Sequence, residues 1–185
     1  MIMKKIIFAI VVLTSIQQAH AQKYSTKTGK ACFDAGTGME DISGTNKSTI
    51  SVFDASTGQI QFQLLVKGFE FSSQLMQDHF NENYMESDKF PKSTFKGTIT
   101  NMDKVNVSKD GTYPVAVKGT LEIHGVKQEV ETKGTLKVKG ETIDASSEFV
   151  VTMDDYKIAI PTVVKDKLSR TAKIKINCNY TPLKQ

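Results

Sequence analysis

Apolar and polar residues alternate with a period of two along most of this 185-residue chain. That period belongs to a β-strand with one buried face, because successive strand side chains point to opposite sides. Gln59-Ile60-Gln61-Phe62-Gln63-Leu64 alternates strictly. Val115, Val117, Leu121 and Ile123 keep one phase and Phe149, Val151 and Met153 another, and Lys173-Ile174-Lys175-Ile176-Asn177-Cys178-Asn179-Tyr180 repeats the pattern. Ser56-Thr57-Gly58, Lys109-Asp110-Gly111, His124-Gly125 and Lys139-Gly140-Glu141 supply turn signals between the runs. A parallel sheet would need helical crossovers, which are missing, so the strands read as a meander of antiparallel hairpins. The fold class is all-β, with about eight amphipathic strands that can close into a barrel.

One helical segment interrupts the strands. Ser72 or Ser73 can cap it, and Leu75, Met76, His79, Phe80 and Met85 recur at helical spacing on one face. It ends before Lys89-Phe90-Pro91, because proline disfavours helix in the residue before it. The helix is expected between strands at Ile60–Phe71 and Thr94–Thr100. A lone amphipathic helix beside a barrel either plugs an open end or covers a cavity as a lid, and both readings stay open here.

The first residues set an expected compartment. Lys4 and Lys5 precede the apolar run Ile6 to Leu13, and Ala19-His20-Ala21 gives a small-x-small cleavage pattern, so residues 1–21 read as a signal peptide cleaved after Ala21. The expected location is periplasmic or secreted. No integral membrane segment is expected, since a spanning helix needs roughly 20 apolar residues. Without Lys4 and Lys5 the 24 basic residues become 22, against 20 acidic ones. This near-neutral, interspersed charge argues against nucleic acid as a partner. Residues 22–185 suit one domain, as single domains commonly hold about 100–200 residues.

Cys32 and Cys178 are the two cysteines, near opposite ends of the expected mature chain. Export favours a disulfide between them. Closing the barrel through its first and last strands would make them neighbours, although Cys178 shares a face with Ile174, Ile176 and Tyr180 while Cys32 opposes Ala31 and Phe33. A common face therefore requires a bulge near Gly29. The other reading is two buried, reduced thiols.

The inward-facing set is Phe62, Leu64, Val66, Val117, Leu121, Ile123, Phe149, Val151, Met153, Tyr156, Ile158 and Ile160, with no charged member. A lumen of that composition accepts an aliphatic chain and rejects a sugar or nucleotide, whose polar groups would lose water without replacement. The same set also describes a dry, packed core.

Two segments carry a resemblance. Phe80-Asn81-Glu82-Asn83-Tyr84-Met85-Glu86-Ser87-Asp88-Lys89-Phe90-Pro91 runs into Ser93-Thr94-Phe95-Lys96-Gly97, and Gly119-Thr120-Leu121-Glu122-Ile123-His124-Gly125-Val126 follows. With Phe69-x-Phe71 and Asp155-Tyr156-Lys157-Ile158-Ala159-Ile160-Pro161, the chain from about Ile50 to Tyr180 resembles the YceI-like family, in its Bacteroidetes-type branch. Members of that family are secreted bacterial proteins with an extended lipocalin-like barrel that holds a polyisoprenoid tail. The family's common tryptophan-containing first strand is replaced here by Tyr24 to Phe33. The resemblance implies a lipid carrier with Phe62, Leu64, Val66, Phe69, Met76, Phe80, Tyr84, Val117, Leu121, Ile123, Phe149, Val151, Met153, Tyr156 and Ile158 against the ligand. It also implies no cofactor beyond a bound polyisoprenoid or quinone-like lipid. The expected partner is an isoprenoid or other amphiphilic lipid, and a homodimer is left open.

Nothing in the sequence reads as catalytic. After the leader only His79 and His124 remain; His124 suits a tight turn beside Gly125, and His79 sits on the helix next to Asp78. Neither belongs to a metal-ligand spacing such as H-E-x-x-H or C-x-x-C. Asp78, His79, Asp154, Asp155 and Tyr156 are the conceivable acid–base groups, but adjacent acidic residues such as Asp154 and Asp155 more often mark a solvated turn. The alternative to a lipid carrier is a ligand-free interaction protein of the cell envelope with a packed barrel, related to stress.

Overall fold

A computed structural model describes residues 23–183, so the expected leader lies outside the described residues. The strands are β1 (Lys23–Gly36), β2 (Ser43–Asp54), β3 (Gln59–Leu65), β4 (Phe69–Glu70), β5 (Lys92–Ile99), β6 (Gly111–Ile123), β7 (Val126–Lys139), β8 (Thr142–Thr152) and β9 (Leu168–Pro182). Eight of them ring an interior in the order β1-β2-β3-β5-β6-β7-β8-β9 and return to β1, while the two-residue β4 pairs beside β2. The all-β antiparallel barrel expected from the alternation is the fold observed. Every pairing is antiparallel, and β1 closes the ring against both β2 and β9.

Local chemistry fixes the turns and close approaches. His124 and Gly125 form a two-residue hairpin loop with φ of 52° and 71°, the doubly positive geometry whose twist matches that of the flanking strands. Gly97 and Gly119 stand directly opposite one another on β5 and β6. A Cβ on Gly119 would meet the Lys96 carbonyl oxygen at 2.4 Å, and one on Gly97 would meet the Phe95 ring at 2.5 Å. The paired glycines thus let two backbones approach while an aromatic ring covers them.

Strand β1 carries the irregularity that sequence parity required. Its register with β2 shifts on both sides of Gly29. The bulge brings Gly29, not Cys32, against Cys178: a Cβ at Gly29 would lie 2.6 Å from the Cys178 sulfur. The expected Cys32–Cys178 disulfide is therefore corrected, because both cysteines are free thiols. Cys32 faces Lys175 on β9, three residues short of Cys178, an offset of about 10 Å along a strand, whereas bridged cysteines have Cα atoms within about 7 Å. Cys32 Sγ instead accepts a hydrogen bond from Thr45 Oγ1 at 3.4 Å.

The helix α1 (Gln74–His79) continues into a π turn at Phe80–Tyr84. Ser73 occupies its N-cap position but makes no side-chain capping bond. None of the residues in either segment is fully buried, yet Met76, Phe80 and Tyr84 line the interior, so the segment lies over the barrel end as a lid whose inner face packs on the cluster below it. Among the described residues no helix is long and apolar enough to cross a membrane.

Two buried clusters flank the interior. One, around Tyr24, Phe53, Leu136, Ile143, Cys178 and Tyr180, fills the end remote from α1. The other, around Ala35, Val66, Met85, Met153, Tyr156 and Leu168, lies at the α1 end. The wall between them is not uniformly bonded. β7 and β8 pair only from Gly134↔Ser147 to Lys139↔Thr142, while β7 continues along β6 to Val126 and β8 along β9 to Thr152. Residues 126–133 and 148–152 therefore flank a seam without ladder pairing. Side chains bridge it, with Thr132 Oγ1 and Ser147 Oγ 3.2 Å apart and Gln128 Nε2 donating to the Asp155 carbonyl at 2.8 Å.

Candidate functional site: an apolar cavity inside the barrel

Inward alternation on opposed strands leaves a cavity of about 550 Å³ between the two clusters, within the range of pockets that hold small ligands. β3 contributes Phe62 and Leu64, β6 contributes Val117, Leu121 and Ile123, and β8 contributes Phe149 and Val151. Phe69, Met76, Phe80, Tyr84, Met153, Tyr156 and Ile158 also stand on its wall. Val66 does not. It is fully buried in the cluster at the α1 end, where its strand gives way to a single 3-10 turn and its N–H donates to the Pro91 carbonyl at 2.9 Å. Ile160 packs against the same cluster without reaching the cavity.

Several wall residues were not singled out from the sequence. Ile174 and Ile176 lie in an alternating run already recognised, and Phe95 in a quoted segment. Phe33 and Phe71 were obscured, Phe33 because β1 is bulged and Phe71 because it lies just past the short β4. They build the aromatic mouth: Phe33 stacks on Phe80 at 5.2 Å, and Phe71 lies 4.9 Å from Phe80. Phe62 and Phe95 sit 6.1 Å apart deeper in.

Charge is confined to the entrance. Of the wall residues only Glu40 and Lys167 carry a formal charge, and they pair at 3.0 Å between the β1–β2 connection and the segment before β9. His79 stands at the same mouth. The rest of the wall is mostly hydrocarbon, interrupted by Ser, Thr and Tyr hydroxyls and the Gln63 amide. Tyr156 is almost fully buried; burial, helped by the charge of Asp155, pushes its phenol up to about 12. Burial also raises the Tyr84 phenol. The hydroxyls of Tyr156 and Thr49, both on wall residues, have no protein partner.

The conceivable acid–base residues are not gathered. Asp78 accepts from Gln74 at 2.8 Å and Asp154 pairs with Arg170 at 3.2 Å, both off the cavity wall as Asp155 is, while His79 stands on the wall from α1 and Tyr156 from the turn after β8. Among the described residues no cluster of His, Cys, Asp and Glu could hold a metal ion. Chemically, such a wall can shield an apolar group from water and offers few partners to a polar one.

Solved structures share the architecture. A polyisoprenoid binding domain from Saccharophagus degradans, described as implicated in plant cell wall breakdown, superposes with a TM-score of 0.75 at 13% identity, covering 88% of this chain and 99% of that one. BcnA from Burkholderia cenocepacia gives 0.68 at 16% identity, over 83% and 96% of the two chains. The Campylobacter jejuni YceI protein gives 0.59 at 16% identity, over 80% and 89%. At such identities the likeness is one of fold. No functionally curated protein sequence matches the chain. The profile of the YceI-like domain, however, matches residues 15–180, nearly the whole length, and the chain therefore belongs to the YceI-like family.

Proposed function

We propose that this protein is an exported, non-catalytic carrier that sequesters a long isoprenoid or other aliphatic chain, a polyisoprenoid or quinone-like lipid, in its barrel. The observation that carries this reading is the cavity of about 550 Å³ whose formally charged wall residues all stand at the mouth. An aliphatic chain fits such a space because it surrenders no hydrogen bonds on entry, whereas a polar guest would leave its groups unpaired. The Saccharophagus degradans domain that shares the fold is described as polyisoprenoid-binding, which supports the same ligand class here. The leader over residues 1–21 supports export.

Denaturing extraction of purified protein followed by mass spectrometry tests the reading, and an aliphatic or prenyl lipid is the expected finding. Val117→Phe sharpens the test, since Val117 faces the cavity from β6. In an open cavity the larger ring blocks the chain and leaves the melting temperature of lipid-free protein nearly unchanged, whereas overfilling a packed core typically costs about 1–3 kcal/mol. Strong destabilisation of the lipid-free protein together with lipid-free extracts would replace the carrier by a ligand-free interaction protein.

A further inference from the structure

Three of the most exposed large apolar side chains surround the cavity mouth on three different segments: Val163 at 91% exposure, Met39 at 74% and Leu75 at 63%. Single exposed apolar residues are ordinary on a protein surface, but a ring of them around the opening of an apolar cavity is a patch with a position. Leu75 itself lines the mouth, as do Glu40 next to Met39 and Val164 next to Val163. The Met39 and Val163 segments are also tied into one rim, since Thr37 Oγ1 donates to the Asp166 carbonyl at 2.7 Å and Lys167 pairs with Glu40 at 3.0 Å.

We propose that this rim seats the barrel mouth on a lipid bilayer, with Val163, Met39 and Leu75 entering the interface. The proposal rests on the carrier reading for its purpose and on the rim for its geometry. Between the exposed Lys157 and Lys165 the chain turns Ile158 into the barrel and leaves Pro161 to Val163 exposed as an apolar tip. That is the composition of a segment lying at a membrane surface: the apolar tip enters the acyl boundary while the lysines face lipid phosphates. Separate side chains projecting from two connecting segments and the first turn of α1 wedge into a fluid surface more readily than they match a rigid protein partner. A long prenyl chain is also nearly insoluble, so a mouth held against the bilayer lets it pass between two apolar environments without crossing water.

Flotation with phosphatidylcholine–phosphatidylglycerol vesicles containing a fluorescent polyprenol tests the docking. The comparison is wild type against the double variant Met39→Asp and Val163→Asp, whose positions are exposed and do not line the cavity. Wild type is expected to float with the vesicles and draw the probe out of them. The variant should stay in the soluble fraction and extract probe slower by about tenfold or more, as expected when buried apolar contact with the interface is lost, yet take the probe from detergent micelles as wild type does. A wild type that does not float overturns the proposal, as does a variant that floats and extracts equally. A wild-type dimer in light scattering that the variant abolishes overturns it too, in favour of a second copy of the chain. If wild type floats but takes up no probe even from micelles, docking stands and the carrier reading fails.

Discussion

His124 Nε2 lies 2.9 Å from Glu86 Oε2, and the opposite ring nitrogen, Nδ1, lies 3.1 Å from the Tyr156 carbonyl oxygen. One imidazole thereby ties the turn after the lid, the β6–β7 hairpin and the turn after β8. Glu86, His124 and Lys157, the non-glycine residues with positive φ among those described, all belong to this junction or adjoin it, at 41°, 52° and 57°. Such conformations persist where surrounding contacts over-determine them.

His124→Ala is therefore expected to destabilise the protein by about 1–3 kcal/mol, since it leaves the buried Tyr156 carbonyl without its partner and puts a Cβ-bearing residue with no polar side chain in the left-handed region. His124→Asn, which tolerates the turn, should recover part of the loss. Urea unfolding of the two variants checks the ordering.

Truncation should separate the packed end from the cavity. Ile143 is fully buried in the remote cluster and does not line the cavity, and Ile143→Ala is expected to cost about 2–5 kcal/mol. Phe149 faces the cavity, so in lipid-free protein Phe149→Ala should cost less, because fewer contacts are lost toward open space. Equal losses in chemical denaturation would mean that both positions are packed alike.

Alkali should unfold this protein for a specific reason. Burial pushes both the Tyr156 phenol and the Cys178 thiol up to about 12, and it raises the Tyr180 phenol as well. These groups hold their protons more tightly when folded than when unfolded. Their contribution is therefore complete below the ordinary value of 9.0 for a thiol or 10.0 for a phenol, and it is lost as pH climbs toward the folded values. The denaturation midpoint is expected to fall steadily over that window, and Cys178→Ala should soften the early part of the decline.

Thiol titration reads the cysteines directly. Unfolded, unreduced protein should present two reactive thiols. In the folded protein at neutral pH, Cys178 should stay silent, being both buried and held as the thiol, while half-buried Cys32 reacts first.

Strand alternation was legible because the barrel has one buried face, and a period of two then marks the inside directly. That suffices to place Phe62, Leu64, Val117, Leu121, Phe149 and Val151 on a common interior. It could not place Val66, because facing inward and lining open space share one period, and only the packing of the cluster at the α1 end distinguishes them. Parity along β1 failed for the same kind of reason. The bulge at Gly29 breaks the count between Thr26 and Ala31, so the cysteine pairing and the position of Phe33 depended on a backbone irregularity that no alternation pattern records. Empty volume itself has no sequence signature, since an apolar wall looks the same whether it faces a neighbour or a void.

A barrel laced all the way round has its girth set by strand number and stagger, and its bore cannot follow its contents. The unpaired stretch between β7 and β8 removes that constraint over the half of the wall nearest the lid. Widening there breaks a few side-chain bridges and no backbone ladder. The girth of the barrel beside the lid is thus held at this one seam by side-chain contacts, and opening it costs less there than at any seam closed by a full ladder.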